Sequence, residues 1–156
     1  MSNSTRNQFN DLLRSEGLNA GIVPVSNIPN EESRLNEVNR LGILNRDLDQ
    51  EAQYNALTQL AAIITKSQIG LINILGSNIQ QCKTNFGFNV LESTLTEEMP
   101  REISICQYSL ASPQEPLIIN DLFLDERTKH FKKLEAYGNL RFYAGSPLIS
   151  LSLIHI

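Results

Sequence analysis

Two cysteines, two histidines and a handful of charged residues in the second half are the side chains with chemistry to offer. Cys106 follows Ser104 at a predicted helix start, and a helix N-terminus lowers a thiol's pKa below its free value of about 8.5. That makes Cys106 a candidate redox or ligand contact. Free cysteine is also among the most buried residue types, and a small core side chain is the heavier reading. Asp121, Asp125 and Arg127 follow a predicted strand end, where loops carry binding groups. The competing reading is structural: such an Asp caps the next turn, and an exposed Asp125–Arg127 pair contributes at most about 1 kcal/mol. Arg141 and Tyr143 flank Phe142, so strand alternation puts both on one side, facing either a ligand cavity or the packed sheet.

Nucleophilic catalysis needs a histidine base oriented by a carboxylate, and His130 lies in a charged stretch with no such arrangement evident. Cys82, Cys106, His130 and His155 lack the close spacing of metal ligands, and the glycines stand singly rather than in a phosphate-cradling loop. The expectation is a chain that is not an enzyme in its own right.

The elements that must position these residues follow from pattern. With 156 residues, one domain is the working assumption. Thirteen basic against seventeen acidic residues give a net charge of −4, which disfavours nucleic-acid partners. No run of about 20 apolar residues exists to span a bilayer, and no signal-peptide core opens the chain, so a cytoplasmic location without membrane insertion is expected. Two cysteines are too few for a disulfide framework.

Residues 1–29 read as a polar tail with an extended, proline-containing end and a short helix near Phe9 to Leu13. A helix should start after Asn30 as cap, with Leu35, Val38 and Leu41 on one face, and stop at Gly42. A second should start at Asp47 or Asp49, with Tyr54, Leu57, Leu60, Ala61 and Ile64 as its apolar stripe. Ile69 to Leu75 and Ile79 to Thr84 predict an antiparallel hairpin around Gly76-Ser77-Asn78. Strands at Leu117 to Ile119 and Leu140 to Gly145 should flank a helix over Asp125 to Tyr137. The sum is α+β, with helices against an antiparallel sheet.

Three runs then narrow the reading: Pro100-Arg101-Glu102-Ile103-Ser104-Ile105-Cys106, Ile118-Ile119-Asn120-Asp121 with Asp125-Glu126-Arg127, and Arg141-Phe142-Tyr143-Ala144-Gly145-Ser146-Pro147-Leu148. In order and spacing they resemble the GAF domains of bacterial sensor kinases and related signalling proteins. Glu32-Ser33-Arg34-Leu35, Leu41-Gly42-Ile43-Leu44 and Leu57-Thr58-Gln59-Leu60-Ala61 look like that family's opening helices, so the resemblance spans residues 31–149. It departs at Cys82, where the family commonly has tryptophan, and at Asn45-Arg46, where it has Asp-Thr.

The resemblance implies a GAF/PAS-like antiparallel sheet flanked by helices over residues 30–150, with the last strands and closing helix missing. It implies a sensor of an unidentified small molecule, with Cys106, Asp121, Asp125, Arg127, Arg141 and Tyr143 as ligand contacts and no cofactor that can be specified. The output would be a histidine kinase or a cyclic-dinucleotide enzyme downstream, and a homodimer through terminal helices would fit. Two alternatives stay open: a free methionine sulfoxide reductase-like GAF enzyme using its cysteines, and a ligand-free dimerisation module. Leu151-Ser152-Leu153-Ile154-His155-Ile156 reads as the translation of CTGTCTCTTATACACATC, a transposon end used in sequencing libraries, so residues 151–156 are expected to be adaptor.

Overall fold

The computed structural model describes residues 21–23, 25–46, 52–87, 98–131, 140–152, 154 and 156. The expected helix near Phe9 to Leu13 and the helix starts at Asp47 and Asp49 lie outside these residues. Helix α1 spans Glu31–Leu41, directly after Asn30, but Asn30 sits at φ 54° and its side chain caps nothing. The first-turn acid Glu31 is instead engaged by Arg34, one turn on. Gly42 ends the helix at φ 61°, the left-handed geometry that a residue without a Cβ adopts at least cost. A 3-10 turn over Ile43–Asn45 follows.

Helix α2 spans Ala52–Thr65, and here the expected stripe is corrected. Thr58 and Ala62 are the buried residues, whereas Leu57, Leu60, Ile63 and Ile64 are 50–71% exposed. The reason is close approach to the sheet. A Cβ on Gly70 would lie 2.7 Å from the Thr58 carbonyl oxygen, so the helix backbone rests almost directly on the first strand and admits only small residues at the seam. Thr58 Oγ1 donates to Tyr54 O at 2.8 Å, which leaves Thr84 as donor in the buried Thr58–Thr84 hydroxyl contact.

Strands β1 (Gly70–Leu75) and β2 (Ile79–Phe86) form the expected antiparallel hairpin, and β3 (Glu98–Pro100) adds antiparallel to β2. The β1–β2 register shifts between Ile72, opposite Thr84, and Asn73, opposite Cys82, leaving Lys83 as the extra residue of a bulge. This local break in alternation buries the adjacent Lys83 and Thr84 together. Lys83 Nζ then donates to the carbonyls of Leu44 at 2.8 Å and Arg46 at 3.1 Å.

A 3-10 turn over Arg101–Ile103 leads into the short helix α3 (Gln107–Ala111), then β4 (Leu117–Ile119), paired antiparallel with β5 (Tyr143–Gly145) in a second, two-stranded sheet. The strand expected from Leu140 is shorter, because Leu140, Arg141 and Phe142 lie before its first ladder pair. Residues 121–131 form consecutive turns rather than the expected helix start, with Asp125 O accepting from Thr128 N at 3.0 Å and Lys129 N at 2.8 Å. Residues 132–139 of that expected helix lie outside the described set.

The architecture is therefore mixed α+β, as the pattern implied. Its principal core joins Ile22, Ile103, Tyr108, Ile119, Leu122 and Phe131. A smaller cluster of Ile28, Leu75 and Leu110 packs with Val25 and Cys106. Ile22 and Ile28 come from the lead-in segment, which is tied down where Tyr108 Oη donates to Val23 O at 2.5 Å and Val25 N donates to Gln107 Oε1 at 2.9 Å. Among the described residues no helix is long and apolar enough to cross a membrane.

Candidate functional site

Strand alternation on β1 places Asn73 and Leu75 on the same face. Leu75 packs with Leu110 and Cys106, so this is the face turned toward α3. Asn73 reaches the same place, its Nδ2 donating to Cys106 Sγ at 3.3 Å. Cys106 sits immediately before α3, half-buried, and its backbone N–H donates to Ser104 Oγ at 3.0 Å. From the second sheet, Tyr143 brings its hydroxyl to 3.4 Å from Ser109 Oγ on α3. Gly145 makes room for this contact, since a Cβ there would meet the Tyr143 hydroxyl at 2.5 Å and Ser109 Oγ at 2.7 Å.

Four polar side chains from β1, the α3 region and β5 thus converge: Asn73, Cys106, Ser109 and Tyr143. Burial pushes the Tyr143 phenol well above its usual pKa, and the adjacent Cys106 acts in the same direction. The phenol is therefore neutral at physiological pH and serves as a hydrogen-bond donor or acceptor rather than as a charge. Among the described residues, Asn73 Oδ1 is buried without a hydrogen-bond partner. An unpaired buried amide oxygen costs roughly 1–3 kcal/mol, and a ligand donor placed beside it would recover that cost.

The other expected residues lie apart from this cluster, in two pairs. Asp121 Oδ2 bonds Arg141 Nη2, while its Oδ1 accepts from Phe123 N at 2.9 Å. The Arg141 guanidinium stacks over the Phe123 ring at 4.9 Å, with its side chain 60% exposed. Asp125 grips Arg127 through Oδ1–Nε at 2.7 Å and Oδ2–Nη2 at 2.6 Å, and Arg127 lies over the Tyr108 ring at 5.4 Å. The hydrogen bonds from Arg127 hold the Asp125 carboxyl below its ordinary pKa. Arg141 and Tyr143 do not share an environment: the arginine pairs with Asp121 at the surface, before β5 begins, and the tyrosine packs inward.

Sequence reasoning missed Asn73 and Ser109. Ser109 carried no signal of its own, but Asn73 did: it is the one polar residue in the apolar run from Ile69 to Leu75. Among the described residues no group of three or more His, Cys, Asp or Glu side chains is placed to hold a metal ion.

No protein-family model matches the chain. Among curated proteins, it is similar to cyclic di-GMP phosphodiesterase PA2567 of Pseudomonas aeruginosa, 27% identical over 118 residues. The match takes in 76% of this chain but only 19% of that protein, so the chain spans about a fifth of its relative's length. This similarity corrects the expectation that the protein is not an enzyme, because the relative it matches is named for a phosphodiesterase activity.

Proposed function

We propose that the chain, over residues 30–150, is a GAF-type sensing module of a cytoplasmic cyclic-dinucleotide signalling protein. A small polar molecule docks among Asn73, Cys106, Ser109 and Tyr143, and its docking alters cyclic di-GMP hydrolysis. The observation that carries the ligand site is the buried, unpartnered Asn73 Oδ1 beside Cys106 Sγ. The cluster joins three segments far apart in sequence, so a molecule bridging it biases how the two-stranded sheet sits against β1. Of the outputs suggested by the GAF resemblance, the cyclic-dinucleotide enzyme is favoured over the histidine kinase by the name of the similar Pseudomonas protein.

The test grafts the chain in place of the matched segment of that phosphodiesterase and follows cyclic di-GMP hydrolysis. Hydrolysis that changes in the Asn73→Leu and Tyr143→Phe grafts, relative to the unaltered graft, supports the reading. Identical rates in all three, and in a graft of an unrelated domain of equal length, overturn it.

A further inference from the structure

At the turn of the hairpin, Glu31 at the start of α1 receives two guanidinium groups. Arg34, 2% exposed, spends all three of its nitrogens: Nε on Glu31 Oε2 at 2.7 Å, Nη2 on Glu31 Oε1 at 2.9 Å and Nη1 on Leu75 O at 2.6 Å. Arg101 spends only one. Its Nη1 meets Glu31 Oε1 at 2.5 Å, Gly76 O at 2.9 Å and Ser77 O at 3.4 Å, while Nε and Nη2 make no hydrogen bond among the described residues. Arg101 also lines a cavity of about 350 Å³ together with Ser26, Asn27, Ile28, Leu35 and Ser77. Arg101's side chain is 15% exposed as a whole, and its two unbonded donors border a space large enough for a small molecule.

We propose that this cavity binds a small organic monocarboxylate, its carboxylate held by the free Nε and Nη2 of Arg101 and its short apolar body against Ile28 and Leu35. Guanidinium donors in a planar fork match two carboxylate oxygens. Two arginines against one carboxylate leave a single positive charge at the site, which one carboxylate neutralises. A phosphate monoester brings close to two negative charges and meets Glu31 in the same wall, so the charge count selects against it. Glu31 is itself kept ionised: burial raises its pKa, but the hydrogen bonds from Arg34 and Arg101 outweigh this and leave it lowered. The site is independent of the Asn73–Tyr143 cluster and shares no residue with it.

The test is calorimetry on the 156-residue chain with sodium butyrate, and separately with inorganic phosphate, at constant ionic strength. Saturable butyrate binding at one site is expected, weakened at least tenfold in Arg101→Gln and in Leu35→Trp, and unchanged in Tyr143→Phe. Leu35→Trp fills the cavity while leaving every donor and acceptor of the Glu31 ion pairs in the chain, so it keeps the test decisive if Arg101→Gln loosens the turn at Gly76. No butyrate binding, tighter binding of phosphate than of butyrate, or butyrate affinity unaltered in Leu35→Trp overturns the proposal.

Discussion

The two faces of the β1–β2 hairpin are built on opposite principles. Toward α2 the sheet meets small and polar groups, Thr58, Ala62, Thr84 and the bare Gly70, while the large aliphatic side chains of the helix point outward. Toward α3 it meets Ile28 and Leu110 through Leu75, with a few polar side chains close by, Asn73, Gln80, Ser104 and Gln107 among them. One face is held by backbone proximity and a hydroxyl pair, the other by exclusion of water. The enclosed polar groups on the second face give the protein somewhere to recognise a ligand, because a polar atom counts for more where water cannot compete.

The contrast breaks most visibly under truncation. Ile119→Ala, at a residue 2% exposed in the principal core, should cost about 2–5 kcal/mol, whereas Leu60→Ala on α2, half exposed, should stay within about 0.5 kcal/mol. Urea denaturation of the two variants measures the difference. Equal losses would mean that the α2 aliphatics are covered in solution.

Adding a methyl group probes the other principle. Gly70→Ala places a Cβ 2.7 Å from the Thr58 carbonyl oxygen and 3.3 Å from the Ala62 Cβ, so helix and strand must separate, at about 1–3 kcal/mol. A thermal melt reads this directly. An unchanged midpoint would show that the seam is looser than its geometry implies.

The hydroxyl pair sharpens the same point on a smaller scale. Thr58→Val strands the Thr84 hydroxyl, 1% exposed, and should cost about 1–3 kcal/mol. Thr84→Val should cost less, since Thr58 keeps its bond to Tyr54 O. The double variant should be no less stable than Thr58→Val alone, and a denaturation cycle over the four proteins gives the coupling.

These seam residues also mark where the sequence was readable and where it was not. The hairpin, the Leu117 to Ile119 strand, the first helix and its glycine stop are local matters of periodicity and backbone freedom, and they stood in the text. The α2 face was misread because helical periodicity records where apolar residues fall, not which side the sheet takes. The deciding term, contact between the Thr58 carbonyl and Gly70, joins residues that no pattern couples. The Asp125–Arg127 ion pair was legible as charges two positions apart, but Arg141 reaching back twenty positions to Asp121 was not. In the same way Cys106 and Tyr143 stood out by type, while their meeting with Asn73 depends on two sheets approaching one short helix.

The smallest effect separates the two long helices by pH. Helix α2 has no carboxylate or basic side chain, so its seam is blind to acid. On α1, hydrogen bonds from Arg40 first, with the Ser152 hydroxyl at 3.2 Å adding to them, hold the Glu37 carboxyl at about 2, against 4.5 for the unperturbed group. A depressed folded-state pKa means that the unfolded chain binds the proton more readily. The stabilisation is therefore complete above about pH 4.5 and is lost as pH falls toward 2. Arg40 is 61% exposed, so solvent and salt screen the pair and the effect is modest. Glu31 and Asp125, also lowered, lose stability in the same direction. Urea midpoints measured from pH 6 down to pH 2 should fall through this window. Glu37→Gln should flatten part of the slope and Thr58→Val should leave it unchanged. A slope altered by Thr58→Val and not by Glu37→Gln would place the acid-sensitive contacts at the α2 seam rather than on α1.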